Sequence, residues 1–236
     1  QINDFLEEAR LNASLQHPNI IQVYNLGYRQ DGQPFFTMKL CSTKKLSDIF
    51  NDANYKLFDF LEIFLKVCEA ISYAHSMGAI HRDIKDDNIL LGEFGEVLLC
   101  DWGSAQILKD SNLEQEVGQL SHPISKGTPG FMSPEQMNGD TPSIRQDIYS
   151  LGALLYKLLT KNTPTELSSS PRDTAPQTPL SLDAICNKAM ARNAHERYYD
   201  CNELIKDVKA YISGFAPQAE QASLNKHLWL FLKRHK

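Results

Sequence analysis

An α+β fold is predicted for this chain. Segments with strand character come early, helical periodicity dominates afterwards, and no internal repeat interrupts that order. The composition is ordinary for a globular protein, with 42% hydrophobic and 22% charged among 236 residues. A chain of this length can bury a substantial core, as one large domain or two small ones. A net charge of −5 gives no general footprint for nucleic acid or for a membrane surface. No run of 18 apolar residues is present, so no membrane span is predicted, and no signal peptide is recognisable. Cys41, Cys68, Cys100, Cys186 and Cys201 are far apart and form no CxxC pair. Reduced thiols in a cytoplasmic domain are therefore expected rather than disulfides or a zinc site.

The elements follow in order. Residues 4–16 carry Phe5, Leu6, Ala9, Leu11 and Leu15 at near-helical spacing. His17-Pro18-Asn19 stops that helix, because proline disfavours helix in the residue before it. Residues 20–28 and 34–40 read as strands, joined by a hairpin turn at 29–33 that contains Asp31-Gly32. A short helix is predicted at 46–50. A long one follows at 57–77, with Phe60, Phe64, Val67, Ile71 and Ala74 on one face and Gly78 as its stop. Short strands at 89–91 and 97–100 flank a turn at 92–95. Residues 102–131 are polar and irregular, and loops of that length are usually functional or disordered. Residues 146–160 form a strongly apolar helix expected to be buried on most sides. Residues 163–179, rich in Pro, Ser and Thr, read as loop, and 182–192 and 200–212 as closing helices.

One string of residues points to chemistry. His81-Arg82-Asp83-Ile84-Lys85-Asp86-Asp87-Asn88 is followed, thirteen residues past Asn88, by Asp101-Trp102-Gly103 at the end of a strand. A carboxylate near a lysine, then an amide, then a second carboxylate suits phosphoryl transfer. That reaction needs a hydroxyl held in line and metal ions to neutralise the phosphoryl oxygens. Carboxylate and amide oxygens are good ligands for Mg²⁺, a hard ion that prefers oxygen. A lone Asp in a loop is most often only a turn former; the whole string at this spacing is not a chance pattern.

These residues resemble the catalytic loop H-R-D-x-K-x-x-N of protein kinases, and Asp101-Trp102-Gly103 resembles their D-F-G. The resemblance implies that Asp83 orients the substrate hydroxyl and accepts its proton, that Lys85 neutralises the transferring phosphate, and that Asn88 and Asp101 hold Mg²⁺. Lys85 looks like the Ser/Thr branch. Gly127-Thr128-Pro129-Gly130-Phe131-Met132-Ser133-Pro134-Glu135 resembles the P+1 loop and A-P-E motif, with Ser133 in place of Ala. Thr128 is then expected to hydrogen-bond near Asp83 and Lys85. Residues 147–152 resemble the start of the family's F helix, whose Asp147 would accept backbone N–H groups of the catalytic loop. Arg197 resembles the arginine that pairs with the A-P-E glutamate, here Glu135. Glu7-Glu8-Ala9-Arg10 and His17-Pro18-Asn19-Ile20 resemble the family's C helix and its exit. Glu8 would then be the glutamate that meets the lysine of the third strand. Met38 would be the gatekeeper, with Lys39, Leu40 and Cys41 as the adenine hinge.

The resemblance covers nearly the whole chain and implies a eukaryotic-type bacterial Ser/Thr protein kinase domain with ATP and Mg²⁺ as cofactors and a protein substrate. Residues 1–40 would be a partial N-lobe: the family's C helix and fourth and fifth strands, with the Gly-rich loop and third strand absent. Residues 41–214 would be a mainly α-helical C-lobe with catalytic and activation loops, and 215–236 a C-terminal extension. The chain opens at Gln1 directly in helical sequence, so a trimmed piece with little or no kinase activity of its own is expected. A pseudokinase-like binding or scaffold module is the alternative. A small-molecule kinase of similar fold is disfavoured by residues 127–135, which resemble a peptide-positioning region. The strand edge that the missing strands leave is open to pairing with another chain, including a second copy in a homodimer.

Departures from the family pattern carry their own expectations. Trp102 replaces the usual Phe, and Asn12, four residues after Glu8, falls where the family packs an apolar side chain against that ring. A buried Asn there needs a partner. Residues 163–179 are short for a region that normally includes helix G, so that helix is expected to be shortened or lost. Arg82 is the arginine that pairs with an activation-loop phosphate in the family. Ser111, Ser121 and Ser125 are the hydroxyls on offer, with ordinary loop serines as the alternative. The last residues, Lys226 to Lys236, join an apolar patch to a basic end. They read either as a segment preceding a membrane helix outside this chain, as in membrane-anchored bacterial kinases, or as a helix docked on the C-lobe.

Overall fold

A computed structural model of the chain describes residues 2–41, 44–118, 120, 127–165 and 170–220. In chain order the elements are α1 (Ile2–Ser14), β1 (Val23–Tyr28), β2 (Pro34–Met38), α2 (Leu57–Met77), β3 (Ala79–Ile80), β4 (Ile89–Leu91), β5 (Val97–Leu99), β6 (Gln106–Ile107), α3 (Asn112–Val117), α4 (Pro134–Met137), α5 (Ile144–Thr160), α6 (Pro171–Thr174), α7 (Leu180–Ala189) and α8 (Cys201–Ile212). Single 3₁₀ turns lie at Leu46–Ile49, Asp86–Asn88, Ala194–Glu196 and Gln218–Glu220. The α+β expectation holds: among the described residues, three two-stranded antiparallel sheets accompany a mainly helical body.

The first strand is shorter than its sequence pattern. Only Val23–Tyr28 pairs with β2, with a bulge between Val23 and Asn25. Ile20 instead makes an isolated parallel bridge to Leu99, and Ile21 donates its N–H to the Leu99 carbonyl at 3.0 Å. The apolar pair Ile20-Ile21 is therefore spent on joining the front of the chain to β5, and both side chains are buried. Helix α1 packs on the outer sheet, where Phe5 and Phe36 meet with ring centroids 4.9 Å apart.

Helices α2 and α5 form the centre. Phe64, Val67, Ile71 and Ala74 of α2, and Leu151, Leu154 and Leu155 of α5, are fully buried. Each large aliphatic or aromatic side chain so buried contributes roughly 1.5–3 kcal/mol. Gly78 ends α2 with φ +94°, a left-handed conformation that glycine adopts without a Cβ penalty, and its N–H caps the carbonyl of His75. All five cysteines are free thiols, with Cys68, Cys186 and Cys201 buried.

Two regions read as loop contain short helices. Within 102–131, α3 forms because the Ser111 hydroxyl accepts the N–H of Glu114 and caps the turn. Within 163–179, α6 is a single turn begun by Ser170 and Pro171, whose hydroxyl and ring suit the first positions of a helix. The expectation of a much shortened helix G matches that single turn among the described residues. Residues 217–219, just past α8, pack back onto that helix. Asp207 accepts the N–H groups of Gln218 at 2.7 Å and Ala219 at 2.9 Å, and the hydroxyl of Tyr198 at 2.8 Å. Residues 221–236, which carry the apolar and basic end, lie outside the described residues, as do Ser121 and Ser125. Among the described residues no helix is long and apolar enough to cross a membrane.

Candidate active site

The loop between β3 and β4 is held by one carboxylate. Asp147, in the first turn of α5, is fully buried and accepts the backbone N–H of His81 at 2.9 Å and of Arg82 at 2.8 Å. His75, in the last turn of α2, meets the same carboxylate with Nε2 at 2.8 Å. Burial by itself would raise the pKa of Asp147. The hydrogen bond and charge of His75 and the hydrogen bond from the Arg82 amide outweigh it and hold the carboxyl below its ordinary range. Sequence reasoning missed His75. A histidine closing a helix six residues before the loop was the available signal, and a capping role for the helix end explained it equally well.

His81 is itself buried, and burial pushes its pKa down despite the nearby Asp147 and Asp83 carboxylates. The neutral ring accepts the Asp83 N–H at Nδ1, 3.2 Å away, so Nε2 carries the proton and donates to the Cys100 carbonyl at 3.3 Å. Its ring lies against the indole of Trp102 with centroids 4.6 Å apart. His81 thus braces both loops. Asp83 on one side and Cys100, next to Asp101, on the other are tied to a single imidazole.

Beyond that brace, Asp83, Lys85 and Thr128 close a triangle. Lys85 Nζ donates to Asp83 Oδ2 at 2.8 Å and to Thr128 Oγ1 at 2.7 Å, and Thr128 donates to Asp83 Oδ1 at 2.6 Å. Burial raises the Asp83 pKa, but hydrogen bonds from Lys85 and Thr128 and the Lys85 charge prevail and lower it. Asp83 is therefore ionised at neutral pH, an acceptor fixed in direction rather than a strong base. Asn88 turns its amide inward. Its Nδ2 donates to the Asp83 carbonyl at 2.9 Å and lies 3.3 Å from Asp83 Oδ2, which leaves Oδ1 as the amide's acceptor.

Asp101 follows directly on this arrangement, because the Cys100 N–H donates to the Asn88 carbonyl at 2.9 Å. Asp101 is exposed and left-handed, with φ +65°, a conformation costly for a non-glycine residue and common at functional sites. Gly103 brings the Glu8 carboxylate close: a Cβ placed on Gly103 would lie 3.1 Å from Glu8 Oε2. Met38 ends β2, and Lys39, Leu40 and Cys41 line a cleft of about 200 Å³ with the turn at 92–96. Among the described residues no cluster of three His, Cys, Asp or Glu side chains suited to a metal is found. The oxygen donors that the family pattern points to are the Asn88 amide and the Asp101 carboxylate. That hard, sparse set fits Mg²⁺, which keeps several waters and phosphate oxygens of its own.

The segment carrying Thr128 is fastened to the same frame. Ser133, where the family has Ala, caps α4 by accepting the Gln136 N–H at 3.2 Å. Gln136 Nε2 then donates to the Arg82 carbonyl at 2.8 Å. Ser150 of α5 donates to the Phe131 carbonyl at 2.7 Å. Glu135 receives both terminal nitrogens of Arg197, Nη2 at 2.8 Å from Oε2. Arg82 Nη1 points at the Ser104 carbonyl, 3.4 Å away.

Comparison with known proteins names the family. A family model described as "Protein kinase domain" matches residues 1–219. The chain belongs to the protein kinase domain family. It is similar to bacterial members named as Ser/Thr kinases. It is 32% identical to "Serine/threonine-protein kinase PknD" of Protochlamydia amoebophila, over 96% of this chain and 27% of that protein. It is 33% identical to "Probable serine/threonine-protein kinase PknB" of Bifidobacterium longum, over 91% and 34% respectively. To the PknD of Chlamydia muridarum it is 34% identical, over 89% and 27%. The kinase domain described here thus spans about a quarter to a third of the length of these relatives.

Proposed function

We propose that the protein is an ATP- and Mg²⁺-dependent Ser/Thr protein kinase, transferring the γ-phosphoryl group to hydroxyls of a protein substrate. The observation that carries this reading is the Asp83–Lys85–Thr128 triangle, every side of it 2.8 Å or shorter. Asp83 would take the substrate hydroxyl's hydrogen bond and hold that oxygen in line. Lys85 would offset charge that develops on the phosphoryl oxygens, and Thr128 would keep both side chains in register. Asn88 Oδ1 and the Asp101 carboxylate would hold Mg²⁺, which when bound neutralises phosphate charge. The roles of Glu8, Met38, Lys39 and Cys41 toward the nucleotide rest on the family pattern.

A second reading, a binding or scaffold module, applies to these 236 residues taken by themselves, because no Gly-rich phosphate loop occurs among them. Transfer of radiolabelled phosphate from ATP to a generic basic protein, by the full-length protein and its Asp83→Asn variant, separates the two. The kinase reading expects a loss of roughly 100- to 10,000-fold in the variant. Equal rates would overturn it.

A further inference from the structure

Helix α5 carries a charged residue that the phosphoryl-transfer reading leaves without a task. Lys157 sits in α5, an otherwise largely buried and apolar helix, about three turns beyond Asp147. Its Nζ donates to both oxygens of Asp86, at 2.8 and 2.7 Å. The two side chains are only 18% and 1% exposed. The same ammonium lies over the rings of Phe50 and Phe131, 5.4 and 5.5 Å from their centroids. Four segments meet at this one cation: α5, the loop at 81–88, the segment that carries Thr128, and the turn after Leu46–Ile49.

Placement gives the pair a consequence. Asp86 lies between Lys85 and Asn88, both neighbours of Asp83, and opens the 3₁₀ turn Asp86–Asn88. At the other end of the loop, Asp147 grips the amides of His81 and Arg82. Asp147, Ser150 and Lys157 fall on one face of α5, within about 80° at 100° per residue. That face therefore holds the loop at its start, the Phe131 carbonyl, and the loop at its end. A buried ion pair contributes little net stability against an apolar replacement, so its usefulness must be sought in what it orients.

We propose that Lys157 is a positioning residue: through Asp86 it sets the turn that presents Lys85 and Asn88 to Asp83, and through Phe131 it couples that turn to Thr128. The catalytic part of this inference rests on the kinase reading; the positional part does not. The test uses the full-length protein, with amide hydrogen exchange over residues 81–91 and steady-state kinetics measured side by side. For Lys157→Met, exchange in that stretch is expected to rise at least tenfold while α2 keeps its rates. A misplacement on the order of 1 Å should lower kcat by roughly 10- to 100-fold with KM for ATP within about twofold. Lys157→Arg should restore both. Because Lys157→Met strands a buried carboxylate, Asp86→Leu/Lys157→Leu is the companion that keeps an apolar, foldable site; its loop exchange should stay raised. Native loop exchange in either variant, or a uniform rise that includes α2, overturns the proposal. Raised loop exchange in a parent protein that transfers no phosphate would overturn the kinase reading and leave Lys157's positional role standing.

Discussion

Asp147 Oδ1 accepts the backbone N–H of Arg82 at 2.8 Å, and Arg82 is a non-glycine residue with φ +67°. A left-handed residue of this size costs on the order of 1–3 kcal/mol and persists only where its surroundings over-determine it. Here the surroundings are the Asp147 carboxylate on the N–H side and the Gln136 amide on the carbonyl side. Replacing Asp147 by Ala removes the acceptor of two buried amides and the partner of His75. Destabilisation of roughly 3–5 kcal/mol is expected in urea unfolding, with Asp147→Asn less severe because one acceptor oxygen remains.

The pH dependence follows from three carboxylates. Asp83, Asp147 and Glu135 all have folded pKa values lowered from their ordinary ones: burial opposes the shift, but partner hydrogen bonds and charges prevail. A depressed folded pKa means stability that is fully present above the unfolded carboxylate value, near about 4. It is lost as pH falls through the folded values. Unfolding free energy should therefore be level in these groups between roughly pH 6 and 8 and decline below about pH 4. Asp147→Asn should flatten that decline, as measured by thermal melts across the range.

Arg197 and Glu135 make a two-pronged pair in which the guanidinium side chain is completely buried. Arg197 also donates to the carbonyls of Ala191 and Arg145 at 2.8 Å each. Arg197→Met leaves a carboxylate and the carbonyls of Ala191, Arg145 and Arg192 without this donor. A loss of roughly 3–5 kcal/mol is expected, much of it recovered when Glu135→Gln is added. A double-mutant cycle in urea checks it, and strict additivity would count against the pair.

Thr128 is the hydroxyl that touches both Asp83 and Lys85. Thr128→Val keeps the shape and removes the hydrogen bonds. Steady-state assays of the full-length protein should show kcat reduced by roughly 10- to 100-fold with little change in the melting temperature.

Asn12 and Trp102 are both buried, and Asn12 Oδ1 and Trp102 Nε1 have no hydrogen-bond partner among the described residues. An unmet buried acceptor costs about 1–3 kcal/mol. Asn12→Leu should therefore raise stability by about 1 kcal/mol or more. A drop in the melting temperature instead would show that the amide oxygen is satisfied in solution.

How far the sequence reached depends on the range of the interactions involved. The Ile20-Ile21 pair has strand character, yet the Ile20 N–H stays on the His17 carbonyl and the Ile21 N–H goes to the distant Leu99 carbonyl, so the paired strand begins only at Val23. The turn α3 was hidden because one serine cap outweighs a polar composition over six residues. Lys157 carries no signal in the sequence, since its partner lies on a loop seventy-one residues earlier.

Local chemistry, by contrast, was written in the chain. Apolar periodicity marked α1 and α2, because a helix face repeats within a few residues, and α5 stood out as a strongly apolar run. The string His81 to Asn88 with Asp101 named the reactive side chains, because their types and spacing are covalent facts. The family resemblance already set Thr128 near Asp83 and Lys85; only the folded chain decided that His75 shares Asp147 with two loop amides and that Asp86 is held by Lys157. Those contacts join residues dozens of positions apart, and their existence depends on how α2, α5 and the intervening loops pack, which no local pattern encodes.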